Sequence, residues 1–233
     1  MPLPDFRLLW LGYPRGSSTD VKTRLGGKLA YEWITNTCTI RTSHALNQAG
    51  LPIPRGTDGL NVLTSPTGLH YAYRVAELSR WIERTVGPAD HIEQGTAGTL
   101  TAAPFAGEQG LICFEVASWT DATGHLDMWD GTRTVHGNYF DRAHRIRLWR
   151  APTTSKPFAL TAGVGQGQPN RPADVKQVQR LLNLHLADVG TIDGDCGPRT
   201  VHAIRKFQEW WDLPTNGQVS PAGVTFERMV RPE

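Results

Sequence analysis

Between Ala151 and Pro172 the chain carries four prolines (Pro152, Pro157, Pro169, Pro172) and three glycines (Gly163, Gly165, Gly167), with Thr153, Thr154 and Ser155 among them. Proline removes a backbone donor and glycine has the most conformational freedom to lose, so neither a helix nor a central strand is expected there. The break divides the chain into a domain at residues 1–152, a linker at 153–170 and a second domain at 171–233. The first part is dense in aromatic and aliphatic residues. The second takes on a helical pattern. No internal repeat or low-complexity tract stands out.

Bulk properties remove several functional classes. The net charge is +2 in 233 residues. Lysine and arginine form no cluster, so no nucleic-acid partner is expected. No run approaches the roughly 20 apolar residues of a membrane span, and no membrane insertion is expected. Residues 1–10 lack the ordered charged, apolar and small-residue regions of a secretory signal. The three cysteines, Cys38, Cys113 and Cys196, are too few for a disulfide framework, and none has zinc-site spacing. Neither a metal nor a cofactor is expected.

Asn36 can cap a helix whose first turn holds Thr37, Cys38 and Thr39 and which ends before Gly50 and Pro52. Tyr71 to Thr85 reads as a second helix, stopped by Gly87-Pro88. Strands follow at 110–118, 125–129 and 145–150, with Asp130-Gly131 as a turn. The order predicts an α+β fold, helices first and an antiparallel meander after.

Cys38 is singled out by its place. A thiol in a first helical turn meets the positive end of the helix dipole and unpaired N–H groups. These favour the nucleophilic thiolate and can stabilise an oxyanion, the N–H of Cys38 among them. A buried packing cysteine is the plain alternative. Such a nucleophile needs a base from elsewhere in the chain. Of eight histidines, His125 is best placed, at a strand start after Gly124. A third group must orient its ring. Asp127 shares a strand face with His125, which puts it beside the ring rather than behind it. A hairpin turning at Asp130-Gly131 brings Thr134 to Asn138 across, and His136 is the expected orienter. Asn138 and Asp141 remain alternatives.

The stretch Asn36-Thr37-Cys38-Thr39-Ile40-Arg41, continuing to Pro54, resembles the nucleophile helix of the type VI secretion amidase effectors, family 4. Tyr73-Arg74-Val75 and Trp119 to Gly131, with its Gly124-His125, resemble two further motifs of that family. The resemblance implies a papain-like fold of the NlpC/P60 type. It implies cleavage between D-glutamate and meso-diaminopimelate in peptidoglycan stem peptides by a Cys-His pair with a third polar group, at the position of His136 here. It also implies a cognate immunity protein, export from the cytoplasm, and action in the periplasm or wall of a target bacterium.

In the tail, Val175, Val178 and Leu182 lie on one helical face, Pro198 suits a first helical position, and Ser220-Pro221 would open a third helix. Val175 to Leu182, Asp193 to Thr200 and Ala203 to Gln208 together resemble the small all-α, three-helix peptidoglycan-binding module. That likeness makes peptidoglycan the expected partner. Cys196 replaces an aromatic of that pattern and reads as a packing residue. A phage or housekeeping endolysin, or a non-catalytic wall-binding protein, are the rival readings.

Overall fold

The computed structural model describes residues 1–57, 59–119 and 123–231; residues 120–122 of the histidine motif lie outside them. The chain forms two compact units, Met1–Thr154 and Ser155–Glu233.

The first unit opens with α1 (Phe6–Gly12) and α2 (Ser18–Leu25). Asp5 caps α1 by accepting from the Arg7 N–H, and Ser17 and Asp20 cap α2 reciprocally, which satisfies otherwise orphaned first-turn donors. The nucleophile-motif helix α3 (Cys38–Ala49) ends at Gly50 in the left-handed conformation, a position that favours glycine. Strands β1 (Val62–Thr64) and β2 (His70–Ala72) form an antiparallel pair, and α4 (Val75–Val86) follows. Helix α4 therefore starts later than the sequence suggests. Tyr71 and Ala72 are extended because β2 pairs with β1 and the Ala72 N–H donates to Ser43 Oγ on α3 at 3.0 Å, and Arg74 is the extended cap of α4.

Strands β3 (His91–Gln94), β4 (Gly110–Glu115), β5 (Gly124–Trp129) and β6 (Arg145–Arg150) make one antiparallel sheet in the order β3-β6-β4-β5. This is not the expected meander: β6 pairs with β4, Ile112 opposite Leu148, and leaves β5 as an edge. The cause lies between β5 and β6. Phe140 packs edge-on against Phe114 at 5.0 Å and Trp129 at 5.5 Å, which carries the chain over the sheet face instead of beside β5. Alternation along the strands builds two cores. Leu111, Cys113, Leu126 and Met128 join Leu46 of α3 and Leu78 and Ile82 of α4. Ile112, Phe114, Trp129, Ile146 and Leu148 join Phe105 and Phe140 on the other face.

The second unit has three helices among its described residues: α5 (Pro172–Leu184), α6 (Pro198–Trp210) and α7 (Val224–Val230). Pro198 does start α6. Ser220 and Pro221 do not start α7, which is capped at Gly223. The stretch expected as linker is partly ordered. Strand β7 (Val164–Gly165) pairs with β8 (Gln218–Val219), and Thr161 and Ala162 donate to the Asp174 carboxylate.

This unit also contains a repeat that the sequence hides. Gln179 on α5 accepts from the Gly194 N–H and donates to Asp193 Oδ1, the Asp195 carbonyl and Thr200 Oγ1. Gln208 on α6 accepts from the Gly217 N–H and donates to Asn216 Oδ1, the Gln218 carbonyl and Thr225 Oγ1. Each clamp ties a helix to an Asx-Gly turn and to the helix after it. Gly194 and Gly217 both have positive φ, 88° and 70°, where a side chain would be strained.

Candidate active site

The site grows from the first turn of α3. Asn36 Oδ1 accepts from the Cys38 N–H at 2.9 Å and Thr42 Oγ1 donates to the Cys38 carbonyl at 2.9 Å, which fixes the backbone on both sides of the thiol. The Cys38 N–H is therefore already engaged and is not the free oxyanion donor expected of it. Cys38 is 3% exposed. The other unit 1 thiol, Cys113, lies wholly inside the core, and burial pushes its pKa up to about 12, leaving it a neutral packing thiol.

His125 starts edge strand β5, where Gly124 lets the strands meet closely: a Cβ there would collide with the Phe114 carbonyl oxygen. Its imidazole and Cys38 line the same pocket. Its Nε2 meets Asp127 Oδ2 at 3.1 Å. Burial alone would lower its pKa, but the bond to Asp127, the neighbouring Cys38 and the charges of both outweigh that and push it up to about 9. The ring is thus an imidazolium at neutral pH.

The group behind the ring is Asp127, not His136. Side chains two apart on a strand share a face and lean along it, and the His125 ring spans that gap. Asp127 is 0% exposed. Its Oδ1 accepts from the N–H groups of Met128 at 2.7 Å and Val135 at 3.2 Å, and its Oδ2 from those of His136 at 3.0 Å and Gly137 at 2.9 Å. The returning chain pairs with β5 only briefly among the described residues, by a bridge from Thr134 to Trp129 and a bond from the Val135 N–H to the Met128 carbonyl at 3.2 Å. Beyond it, the carboxylate takes the amides that a paired strand would have satisfied. His136 contributes a backbone N–H, while its own ring is exposed, 6.3 Å from that of His125. Desolvation and the Arg41 cation hold His136 below the usual histidine range. Asn138 is exposed and accepts from the Phe140 N–H, and Asp141 is exposed. The sequence did carry a signal for Asp127: a His-x-Asp pair on one strand face, followed by a tight turn.

Two pockets meet at Cys38. One, of about 380 Å³, is lined by Thr39, Tyr73, Arg74, Glu77, Arg80 and Trp119. The other, of about 250 Å³, is lined by Ser18, Arg41, His125, His136 and Tyr139. Asn36 and Cys38 belong to both.

A helix-borne thiol, an imidazolium and a clasped carboxylate behind it form the constellation of a cysteine hydrolase acting on acyl bonds. Residues 34–149 match the family model described as type VI secretion system (T6SS), amidase effector protein 4 (Tae4), and residues 171–226 match a putative peptidoglycan binding domain. The effector Tae4 from Salmonella typhimurium, solved in complex with the immunity protein Tai4 from Enterobacter cloacae, is 26% identical with a TM-score of 0.57, over 64% of this chain and 99% of that one. Tae4 from Enterobacter cloacae is 28% identical with a TM-score of 0.58, over 65% of this chain and 99% of that one. No curated protein matches the chain. The chain belongs to the type VI secretion amidase effector family 4 and carries a peptidoglycan-binding domain as well. It is an amidase that acts on peptidoglycan.

Proposed function

We propose that the chain hydrolyses the amide between γ-D-glutamate and meso-diaminopimelate in stem peptides, with Cys38, His125 and Asp127 as its working residues. The observation that carries this is the position of the His125 ring, which shares one pocket with Cys38 and is hydrogen-bonded to a buried carboxylate at 3.1 Å. The Cys38 thiolate attacks the γ-carbonyl carbon, forming a C–S bond and a tetrahedral oxyanion. As the C–N bond breaks, the His125 imidazolium gives its proton to the leaving amine of diaminopimelate. The imidazole, now neutral, takes a proton from water. The resulting hydroxide attacks the thioester, and Cys38 leaves as thiolate. Asp127 keeps the ring in orientation and favours its charged form. Asn36, anchored through Oδ1 to the Cys38 N–H and lining both pockets, presents its Nδ2 to the oxyanion.

The second unit holds the enzyme on the sacculus and raises the local concentration of stems without altering the chemistry. The family assignment supports synthesis in the cytoplasm, delivery by a type VI machine into a target periplasm, and a cognate immunity protein of the kind bound to the solved effectors.

Mass spectrometry of peptidoglycan digests, wild type beside Cys38→Ala, tests the assignment. The expected products end in D-glutamate or begin with diaminopimelate, and are absent with the variant. Equal cleavage by the variant would remove Cys38 as nucleophile, and products cut elsewhere would replace the bond.

A further inference from the structure

We propose that the smaller pocket beside Cys38 is a carboxylate subsite built on Arg41, and that it takes the free α-carboxylate of the D-glutamyl residue whose γ-carbonyl is attacked. This rests on the γ-D-glutamyl reading above.

The starting point is a buried guanidinium that no carboxylate contacts among the described residues, although the charges of Asp127, Cys38 and Asp20 reach it from farther off. Arg41 is 1% exposed. Its Nε donates to Thr37 Oγ1 at 3.1 Å, Nη1 to the Pro14 carbonyl at 2.5 Å and Nη2 to the Gly16 carbonyl at 2.9 Å. All three acceptors are neutral, and among the described residues no carboxylate lies within ion-pair reach of it. Elsewhere the same unit treats a buried guanidinium differently. Arg147, 6% exposed, is paired with Glu115 at 2.7 Å and Glu83 at 3.3 Å. A cation out of water with no anion in contact is costly, and an anion arriving at contact distance lowers that cost.

The surroundings point to where that anion sits. A guanidinium has five N–H donors, and three bonds leave two of them over. Arg41 forms part of the wall of the pocket that also holds Cys38 and His125. The rest of that wall is polar and carries no acid: Ser18, Thr35, Asn36, Thr37, His136 and Tyr139. His136, held below the usual histidine range, adds a neutral polar group at pH 7. The spacing also fits. Arg41 lies one helical turn from Cys38, about 5 Å along the axis, and three carbons separate the α-carboxylate of a γ-glutamyl unit from its δ-carbonyl. A carboxylate in this pocket places the acyl side of the substrate here and leaves the larger pocket, with Tyr73 and Trp119, to the leaving side.

The test compares two synthetic stems with the full-length protein: L-Ala-γ-D-Glu-diaminopimelate, and the same peptide with D-isoglutamine, whose α-carboxylate is a carboxamide. The wild type is expected to prefer the acid by about tenfold or more in kcat/KM, because the amide leaves the guanidinium without its anion. Arg41→Gln should bring that preference close to unity, and Arg41→Lys should retain part of it. Equal wild-type rates on acid and amide would overturn the subsite. So would a folded R41Q that loses both rates in parallel with the preference intact, since that is the signature of a brace between α3 and residues 14–16. Cleavage of neither stem by the wild type would overturn the bond assignment and the subsite with it. The wild-type ratio decides the matter even if R41Q fails to fold, which its melting temperature would reveal.

Discussion

Both units bury polar side chains to the same depth, yet they handle them in opposite ways. In the second unit Gln179 and Gln208 are 1% and 0% exposed, and each amide is paired on its oxygen and on its nitrogen. The Gln208 clamp carries no charge, and the one charged group in the Gln179 clamp is the exposed Asp193 carboxylate. In the first unit Asp127, Arg41 and His125 are 0%, 1% and 4% exposed. His125 is an imidazolium at neutral pH, and the hydrogen-bond partners of the Arg41 guanidinium are all neutral. A neutral network with every partner in place fixes turns at small net cost. A charged network pays desolvation that packing does not return. Sites of chemistry are where such a cost is retained, so the imbalance marks function and the balance marks architecture.

Breaking the charged network should cost rate far more than stability. Asp127→Asn is expected to lower kcat by about 10³ to 10⁴ in the muropeptide assay, because the amide can present its N–H to the ring and select the wrong tautomer. If Asp127→Asn stays within tenfold of wild type while His136→Ala loses that activity, the orienter is His136 after all. Asn36→Ala is expected to cost about 10² in kcat with KM little changed, as for loss of one oxyanion donor. A rise in KM alone would make Asn36 a substrate-binding residue.

Breaking the neutral network should do the reverse. Gln208→Ala orphans the Gly217 N–H and removes the donor to Asn216, Gln218 and Thr225. A loss of about 2–4 kcal/mol is expected, read by chemical denaturation of the second unit. Sacculus binding should weaken by co-sedimentation, while cleavage of soluble muropeptides stays at the wild-type rate. Loss of soluble-fragment cleavage would show that the second unit serves the chemistry itself.

The same contrast explains what could be read from the sequence. The places of Cys38 and His125 were legible because their settings are local: a capped first helical turn, and a glycine-started strand with an alternating face. The contact of Asp127 with the ring was not. Which carboxylate oxygen reaches the ring depends on where residues 135–137 fold back, and His136 acts there through a backbone N–H that its side chain does not advertise. Tyr71 and Ala72 carry an amphipathic pattern yet pair with β1. The pairing of Val164-Gly165 with Gln218-Val219 is remote in sequence, and it draws part of a Pro/Gly-rich stretch into the second unit. The two glutamine clamps escaped notice because only a glutamine, an Asx-Gly turn and a threonine recur, at unequal spacing.

The smallest expected effect is also the one that sets the two networks side by side in a single measurement. His125 is raised from an ordinary 6.5 to about 9. Its imidazolium therefore stabilises the first unit fully below about 6.5, and that contribution is lost as pH rises through about 9. The proton it gives to the leaving amine is lost over the same range, so kcat/KM should fall above about pH 9, toward tenfold per pH unit. Asp127→Asn, lacking the carboxylate that helps hold the proton, should move that limb to lower pH. The glutamine clamps have nothing to titrate there. Hydrogen exchange reads both networks through amides that the two clusters hold: His136 and Gly137 on Asp127, and Gly217 on Gln208. After correction for the intrinsic rate, protection at His136 and Gly137 should decline between about pH 7 and 10, while protection at Gly217 holds. A parallel decline at Gly217 would mean that the second unit's stability also depends on a group titrating in that range, and the division into a charged working network and a silent structural one would fail.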